Sequence, residues 1–384
     1  MKTGFQRIET KLVHAGKPEP RIEGAVAMPI FQSATFQYGG EATYDDLRYL
    51  RLSNCPNHVV LHKKLAALEN AEAGLVTASG MAAISITLLS LLKSGDHLLA
   101  QNCLYGGTHG LITRDFPKLG LSYDFIDAEN PSSWKASLRS NTRAIYVEAM
   151  TNPLLGVADF PAIIEFARSN NLVTVIDNTF ASPINFRPLD LGFDLCIHSC
   201  TKYLNGHSDL VAGAVMGRAE TIQMIRHRLN HLGAVLDPHA AYLLHRGMKT
   251  LALRVRYQNQ STLAIARFLQ SHPAVERVNY PGLESHSAHG RASELFDGFG
   301  GVLSFEPRGG NMAAERFLKG ITLPIVAPSL GSVETLAIRP AISSHAGLSK
   351  SDRERTGISD HLIRISIGIE ATEDLIEDFD AALG

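Results

Sequence analysis

The chain has 384 residues, 45% of them hydrophobic and 19% charged, with a formal net charge of -2. Such a length supports two or three structural regions around a sizeable core, and the composition is that of an ordinary soluble globular protein. Basic residues are scattered, the one short patch running from Ile225 to His231, which argues against a nucleic-acid partner; no run approaches the ~20 apolar residues that a membrane span needs.

Four cysteines, Cys55, Cys103, Cys196 and Cys200, have neither metal-ligand spacing nor the density of a disulfide scaffold. No metal is expected, and Cys196 and Cys200 are expected to pack as small buried residues. With no leader-like apolar stretch, the expected location is reducing and cytoplasmic.

In chain order, residues 1–55 are expected to form an arm rather than a domain. Glycine, proline and polar residues interrupt every periodicity there, and Pro29-Ile-Phe-Gln-Ser-Ala-Thr-Phe36 is one short extended piece. Apolar residues at helical spacing from Val59 to Ala71 predict a helix. The run Gly74-Leu-Val-Thr-Ala-Ser79-Gly80-Met81 then gives a strand, a turn and a long apolar helix. The N-terminus of that helix, at Gly80 and Met81, would suit a phosphate, although Ser-Gly is also a common helix cap.

Asp96 to Ala100 is a strand, followed by Tyr105-Gly-Gly-Thr108, where two glycines leave the Tyr105 ring clear to lie flat on another ring; a turn tyrosine at the surface is the alternative. Thr142 to Glu148 is a strand ending in a carboxylate, just before Thr151-Asn152-Pro153. Strands alternating with helices as far as Ala214 predict an α/β large domain with a doubly wound, mostly parallel sheet. From about Glu220 to Gln270 the pattern is helical, with one long helix from about Pro238. The remainder mixes short strands, Gly301 to Phe305 and Leu362 to Ile367, with helices, as a smaller α+β C-terminal domain would. The resulting division is an arm over 1–55, a large domain over 56–245 and a C-terminal domain over 246–384.

Chemistry concentrates in two apolar runs. Val173-Thr-Val-Ile-Asp177-Asn-Thr reads as a buried parallel strand delivering a carboxylate at its C-terminal end, and Leu195-Cys-Ile-His-Ser199-Cys-Thr201-Lys202 delivers two hydroxyls and an amine in the same way. That set suits pyridoxal 5'-phosphate. The cofactor needs a lysine amine to anchor it, a carboxylate to keep its pyridine nitrogen protonated, and hydroxyl or N-H groups for its phosphate. Spacing alone leaves a second reading open, in which Lys202 is one surface lysine among many and Asp177 caps a loop.

Asp177-Asn-Thr followed by Ser199-Cys-Thr-Lys202-Tyr-Leu-Asn-Gly-His-Ser-Asp209 resembles the lysine signature of the Cys/Met-metabolism family of pyridoxal-phosphate enzymes, and the likeness runs from about Pro29 to the C-terminus. The resemblance implies fold type I. It assigns Gly80, Met81, Ser199 and Thr201 to the cofactor phosphate, Asp177 to the ring nitrogen, Lys202 to covalent anchoring and proton transfer, and Tyr105 to stacking and proton transfer. Asn152 would bind the cofactor hydroxyl and the substrate carboxylate, Arg364 would grip that carboxylate, and Ser329 would stand near the lysine. For Arg364 the plain alternative is a strand arginine reaching solvent.

In relatives a Tyr-x-Arg pair, here Tyr49 and Arg51, binds the phosphate of a neighbouring subunit, which implies a homo-oligomer, a tetramer of two active dimers. This chain departs from the pattern: the stretch from Tyr49 to Pro56 is one residue longer than usual, so Arg48 or Tyr44 could substitute. Pro328 stands before Ser329 where many γ-enzymes carry an acid.

The reaction expected is therefore cleavage of a carbon-sulfur bond in cystathionine, β-elimination ahead of γ-elimination. A γ-replacement synthase or sulfhydrylase is the alternative and methionine γ-lyase comes third; a reactive cysteine, with Cys103 or Cys55 as candidates, would favour the last.

Overall fold

The computed structural model describes residues 5–344, 346, 347, 350, 353 and 357–384. Two sheets organise them. The larger runs in the order β1 (Ala73–Thr77), β7 (Gly213–Gly217), β6 (Leu195–Ser199), β5 (Val173–Asp177), β4 (Thr142–Glu148), β2 (His97–Gln101) and β3 (Ser122–Ile126). All neighbours pair in parallel except β7, which is antiparallel to both β1 and β6.

Strands β2, β6 and β7 are buried almost throughout, because helices cover both faces of the sheet. On one face the helices Gly80–Leu91 and Ala219–Leu232 pack Ala83, Ile84, Ile222 and Ile225 against Leu195, Ile197 and Val215. On the other, Pro56–Leu68 and Phe160–Ser169 pack Leu61, Leu65 and Ile163 against Ile176, Cys196 and Met216. This second core continues without a break into the smaller sheet, β10 (Ile325–Val326), β11 (Leu336–Ile338), β12 (Ile363–Ser366), β9 (Val302–Pro307) and β8 (Val275–Asn279), through Leu303, Ile363 and Phe379.

Two expectations are revised. The single helix from Pro238 is two, Pro238–Met248 and Leu251–Ser271, parted at Lys249 and Thr250, the latter with φ -106° and ψ 4°. The N-terminal stretch also holds a helix, Ile8–His14, which buries Leu12 in the main core. Among the described residues, no helix is long and apolar enough to cross a membrane.

Candidate active site

The C-terminal ends of β5 and β6 lie side by side, Asp177 opposite Ile197, and so bring Asp177 next to the run from Ser199 to Lys202. Asp177 is buried. Burial raises its affinity for a proton, whereas the hydroxyl and N-H of Thr179, the charge of His198 and the Tyr146 hydroxyl favour the carboxylate. Thr179 Oγ1 donates to Asp177 Oδ1 at 2.5 Å and accepts from the Ser199 N-H at 2.8 Å. One hydroxyl thus spans the two strand ends. Thr179 closes the Asp177-Asn-Thr run, whose local pattern assigns it no task.

Helix Gly80–Leu91 begins against Ser199. Ser79 caps it, its Oγ accepting from the Ala82 N-H at 3.0 Å, so the preceding Gly80 and Met81 N-H groups are available to an anion. The approach requires glycine: a Cβ on Gly80 would lie 2.8 Å from both Cβ and Oγ of Ser199. Thr201 Oγ1 accepts from the Ala212 N-H at 3.0 Å and lies 3.3 Å from the Ala212 carbonyl, tying the lysine loop to the entry of β7.

Lys202 Nζ donates to Ser329 Oγ at 2.6 Å. Burial, and then the positive charge of Arg364, bring the amine down to about 8, within reach of neutral pH as a base. The loop that carries Ser329 is pressed onto the lysine loop at Gly331, which has φ 74° and whose Cβ, if present, would sit 2.7 Å from the Tyr203 nitrogen.

Arg364 projects from β12 and is 4% exposed, so the solvent-facing alternative does not hold. Its Nη1 donates to Asn152 Oδ1 at 3.2 Å and its Nη2 to the Ser329 carbonyl at 2.7 Å, while Nε has no hydrogen-bond partner among the described residues. Burial lowers the group to about 10, which leaves it cationic at neutral pH. A buried guanidinium held by two neutral acceptors, with its Nε N-H unused among the described residues, suits an incoming carboxylate.

Tyr105 is half exposed, its N-H donating to the buried Glu148 Oε1 at 2.7 Å. A Cβ on Gly107 would meet its ring edge at 2.6 Å and Met81 Sδ at 2.8 Å, which places Tyr105 beside the start of helix Gly80–Leu91. Burial, and then Asp177, raise the Glu148 carboxyl well above the ordinary range.

Tyr49 and Arg51 stand apart from this cluster. Arg51 Nη1 donates to the Asn230 carbonyl at 2.8 Å, Nη2 binds the Tyr44 hydroxyl, and the guanidinium lies over the Tyr49 ring. The structure thus gathers Lys202, Asp177, Ser199, Thr201, Gly80, Met81, Tyr105, Asn152, Ser329 and Arg364 on one chain and leaves the Tyr-x-Arg pair on the surface.

Neither candidate cysteine is an activated thiol. Cys55 is fully buried, and burial followed by Glu148 pushes Cys103 up to about 12. Cys196 and Cys200 are buried as expected. A cavity of about 990 Å³ opens beside the site, lined by Cys103, Thr151, Arg277 and His286 among others, and does not include Lys202 or Asp177.

Sequence reading missed Arg254. Buried in the helix Leu251–Ser271, it donates to the carbonyls of Tyr203 at 2.9 Å, Gly247 at 3.0 Å and Asn205 at 3.4 Å, fastening the lysine loop from behind. No local motif announces it.

A helix N-terminus pressed against a serine hydroxyl, a buried carboxylate on the adjacent strand and a lysine with weakened proton affinity fit pyridoxal phosphate group by group. Fold and site together define a fold type I pyridoxal-phosphate enzyme. A profile of the Cys/Met metabolism PLP-dependent enzyme family matches residues 9–384, and the chain belongs to that family.

It is 40% identical to the L-methionine gamma-lyase of Fusobacterium nucleatum subsp. polymorphum, over 100% of this chain and 99% of the relative. To the cystathionine beta-lyase of Lactococcus lactis subsp. cremoris MG1363 it is 41% identical over 98% of each. A crystal structure of cystathionine gamma synthase from Xanthomonas oryzae pv. oryzae, in complex with aminoacrylate and cysteine, superposes with a TM-score of 0.95 at 38% identity, covering 99% of this chain and 98% of that one. The cofactor is pyridoxal 5'-phosphate, and the chain is a pyridoxal-phosphate-dependent lyase of sulfur amino-acid metabolism.

Proposed function

We propose that the chain cleaves cystathionine by β-elimination, releasing homocysteine, pyruvate and ammonia. The observation that carries this reading is Arg364, a buried guanidinium whose hydrogen-bond partners among the described residues are the neutral Asn152 and Ser329. An amino-acid carboxylate would supply the missing anion. The same Ser329 accepts from Lys202, so the substrate α-carbon would be held within the lysine's neighbourhood.

Bound pyridoxal phosphate supplies the electron sink that lets an α-carbon give up its proton. The chain's residues do the rest. Lys202 would anchor the cofactor and, once released, take the α-proton at Nζ. Asp177 would keep the ring nitrogen protonated. Gly80, Met81, Ser199 and Thr201 would hold the phosphate, Asn152 the ring hydroxyl, and Tyr105 would cover the ring and pass a proton to the leaving sulfur.

Pro328 supports loss from the β-carbon, since no acidic side chain precedes Ser329. Loss from the γ-carbon needs a further proton shift, and the likeness to a methionine γ-lyase keeps it as the second reading. Incubating the purified protein with cystathionine and identifying the keto acid and thiol tests the proposal. Pyruvate with homocysteine supports it; 2-oxobutyrate with cysteine replaces it with γ-elimination.

The exposed Tyr49 and Arg51 support a further part of the reading, that each chain completes its partner's phosphate site and that the protein is a homotetramer of two such dimers. Cytoplasmic location and the division at residues 55 and 245 belong to the same reading.

A further inference from the structure

Behind the cofactor cradle, on the face of the larger sheet opposite Asp177, lies a buried polar group that the mechanism above does not use. Glu69, just past the end of helix Pro56–Leu68, is 1% exposed. Its Oε1 is 2.5 Å from His198 Nε2 and accepts from Asn178 Nδ2 at 3.4 Å. Asn178 follows Asp177, and His198 precedes Ser199. A single carboxylate oxygen therefore holds the residue next to the ring-nitrogen carboxylate and the residue next to the phosphate hydroxyl.

The arrangement is costly as a stabilising device. A carboxylate at a helix C-terminus opposes the helix dipole, burial removes its hydration, and Oε2 has no hydrogen-bond partner among the described residues. Apolar side chains of similar volume would commonly stabilise such a spot as well or better. What they could not do is fix two strand ends to one point. Asn178 is held twice, its Nδ2 also donating to the Phe186 carbonyl at 2.8 Å, so it has little freedom to take up slack from its neighbour.

We propose that Glu69 is a positioning residue for the cofactor: through His198 and Asn178 it fixes the distance between Asp177 and the phosphate cradle formed by Ser199 and Gly80. Thr179 performs the matching task on the cofactor side, so the ends of β5 and β6 are pinned from both faces. The inference rests on the assignment of Asp177 and Ser199 to the cofactor.

The test follows cofactor retention and the visible circular dichroism of the bound cofactor, which reports its orientation, in holoenzyme of the wild type, Glu69→Gln and the double variant Glu69→Leu/His198→Leu. The double variant replaces the pair with apolar groups and is expected to fold with a melting temperature close to wild type. Both variants are expected to release cofactor more readily, with a dissociation constant raised about tenfold or more, equivalent to about 1.4 kcal/mol, and to show a changed visible dichroism. A lowered melting temperature with unchanged dissociation constant and dichroism would mean that Glu69 is merely structural and would overturn the proposal. Should both variants fail to fold, Glu69→Asp decides: a shorter carboxylate must loosen retention and alter the dichroism if the clamp sets the distance, and wild-type values overturn it. Wild-type protein that binds no cofactor at Lys202 would instead remove the assignment beneath the inference.

Discussion

Lys202 Nζ donates to Ser329 Oγ at 2.6 Å, and Ser329 holds φ 91°, a left-handed backbone that a residue with a Cβ adopts only under constraint. The Ser329 carbonyl is meanwhile spent on Arg364. One residue thus orients the proton carrier and the carboxylate grip. Ser329→Ala is expected to lower kcat by roughly tenfold to a hundredfold while the fold is kept, as steady-state kinetics and the melting temperature would show. An unchanged kcat would separate Ser329 from proton transfer.

Arg364→Lys keeps a charge but loses the planar fork. The expected outcome is a rise in KM for amino-acid substrates of roughly tenfold to a hundredfold with cofactor still bound. Loss of cofactor with unaltered KM would assign Arg364 to a different partner.

Asp177 and Glu148 face one another across β4 and β5, both buried and both raised in proton affinity by burial. A carboxyl whose folded value is raised contributes stability at low pH and loses it as pH rises through that value. Asp177→Asn should therefore make the cofactor-free chain melt at a higher temperature at neutral pH, with the difference shrinking on acidification, while weakening cofactor binding. A variant that melts lower at neutral pH would show that Asp177 is already stabilised by its partners in the folded chain.

Arg254→Leu would leave the carbonyls of Tyr203, Asn205 and Gly247 without their shared donor. Urea titration should show a loss of about 2–4 kcal/mol, and Lys202 should turn over substrate more slowly even at urea-free equilibrium. Unchanged stability would mean that the loop satisfies these carbonyls by another route.

The strand ends were legible because their chemistry is local. A β-branched run ending in Asp177, and another ending in Ser199 to Lys202, identify their own boundary and cargo, as do the cap at Ser79 and the lone arginine of an apolar strand at Arg364. Contacts made through the sheet were not legible. Glu69 and His198 are 129 residues apart and meet only because β6 takes its place between β5 and β7, and Arg254 reaches the lysine loop across 49 and 51 residues. The break at Thr250 was hidden for another reason: its one local signal, Gly247, lies inside the first helix, and Met248 and Leu251 on either side of the break favour helix.

Mixing Lys202→Ala chains with Arg51→Ala chains tests the shared site. Partial recovery of activity is expected in mixed oligomers, where some sites draw an intact lysine and an intact arginine from different chains; no recovery in confirmed mixed oligomers would return Arg51 to its contacts with Asn230 and Tyr44.

Burial makes the amines of Lys202 and Lys64 weaker bases, bringing them down to about 8 and about 7, but Lys64 is sealed against the Leu12 carbonyl at 2.5 Å. The most direct measurement reduces the holoenzyme with borohydride and maps the cofactor-bearing peptide by mass. A single adduct on Lys202 is expected, absent from Lys202→Ala, which would also lose turnover. An adduct on Lys64 or another lysine, or wild-type turnover by Lys202→Ala, would contradict it.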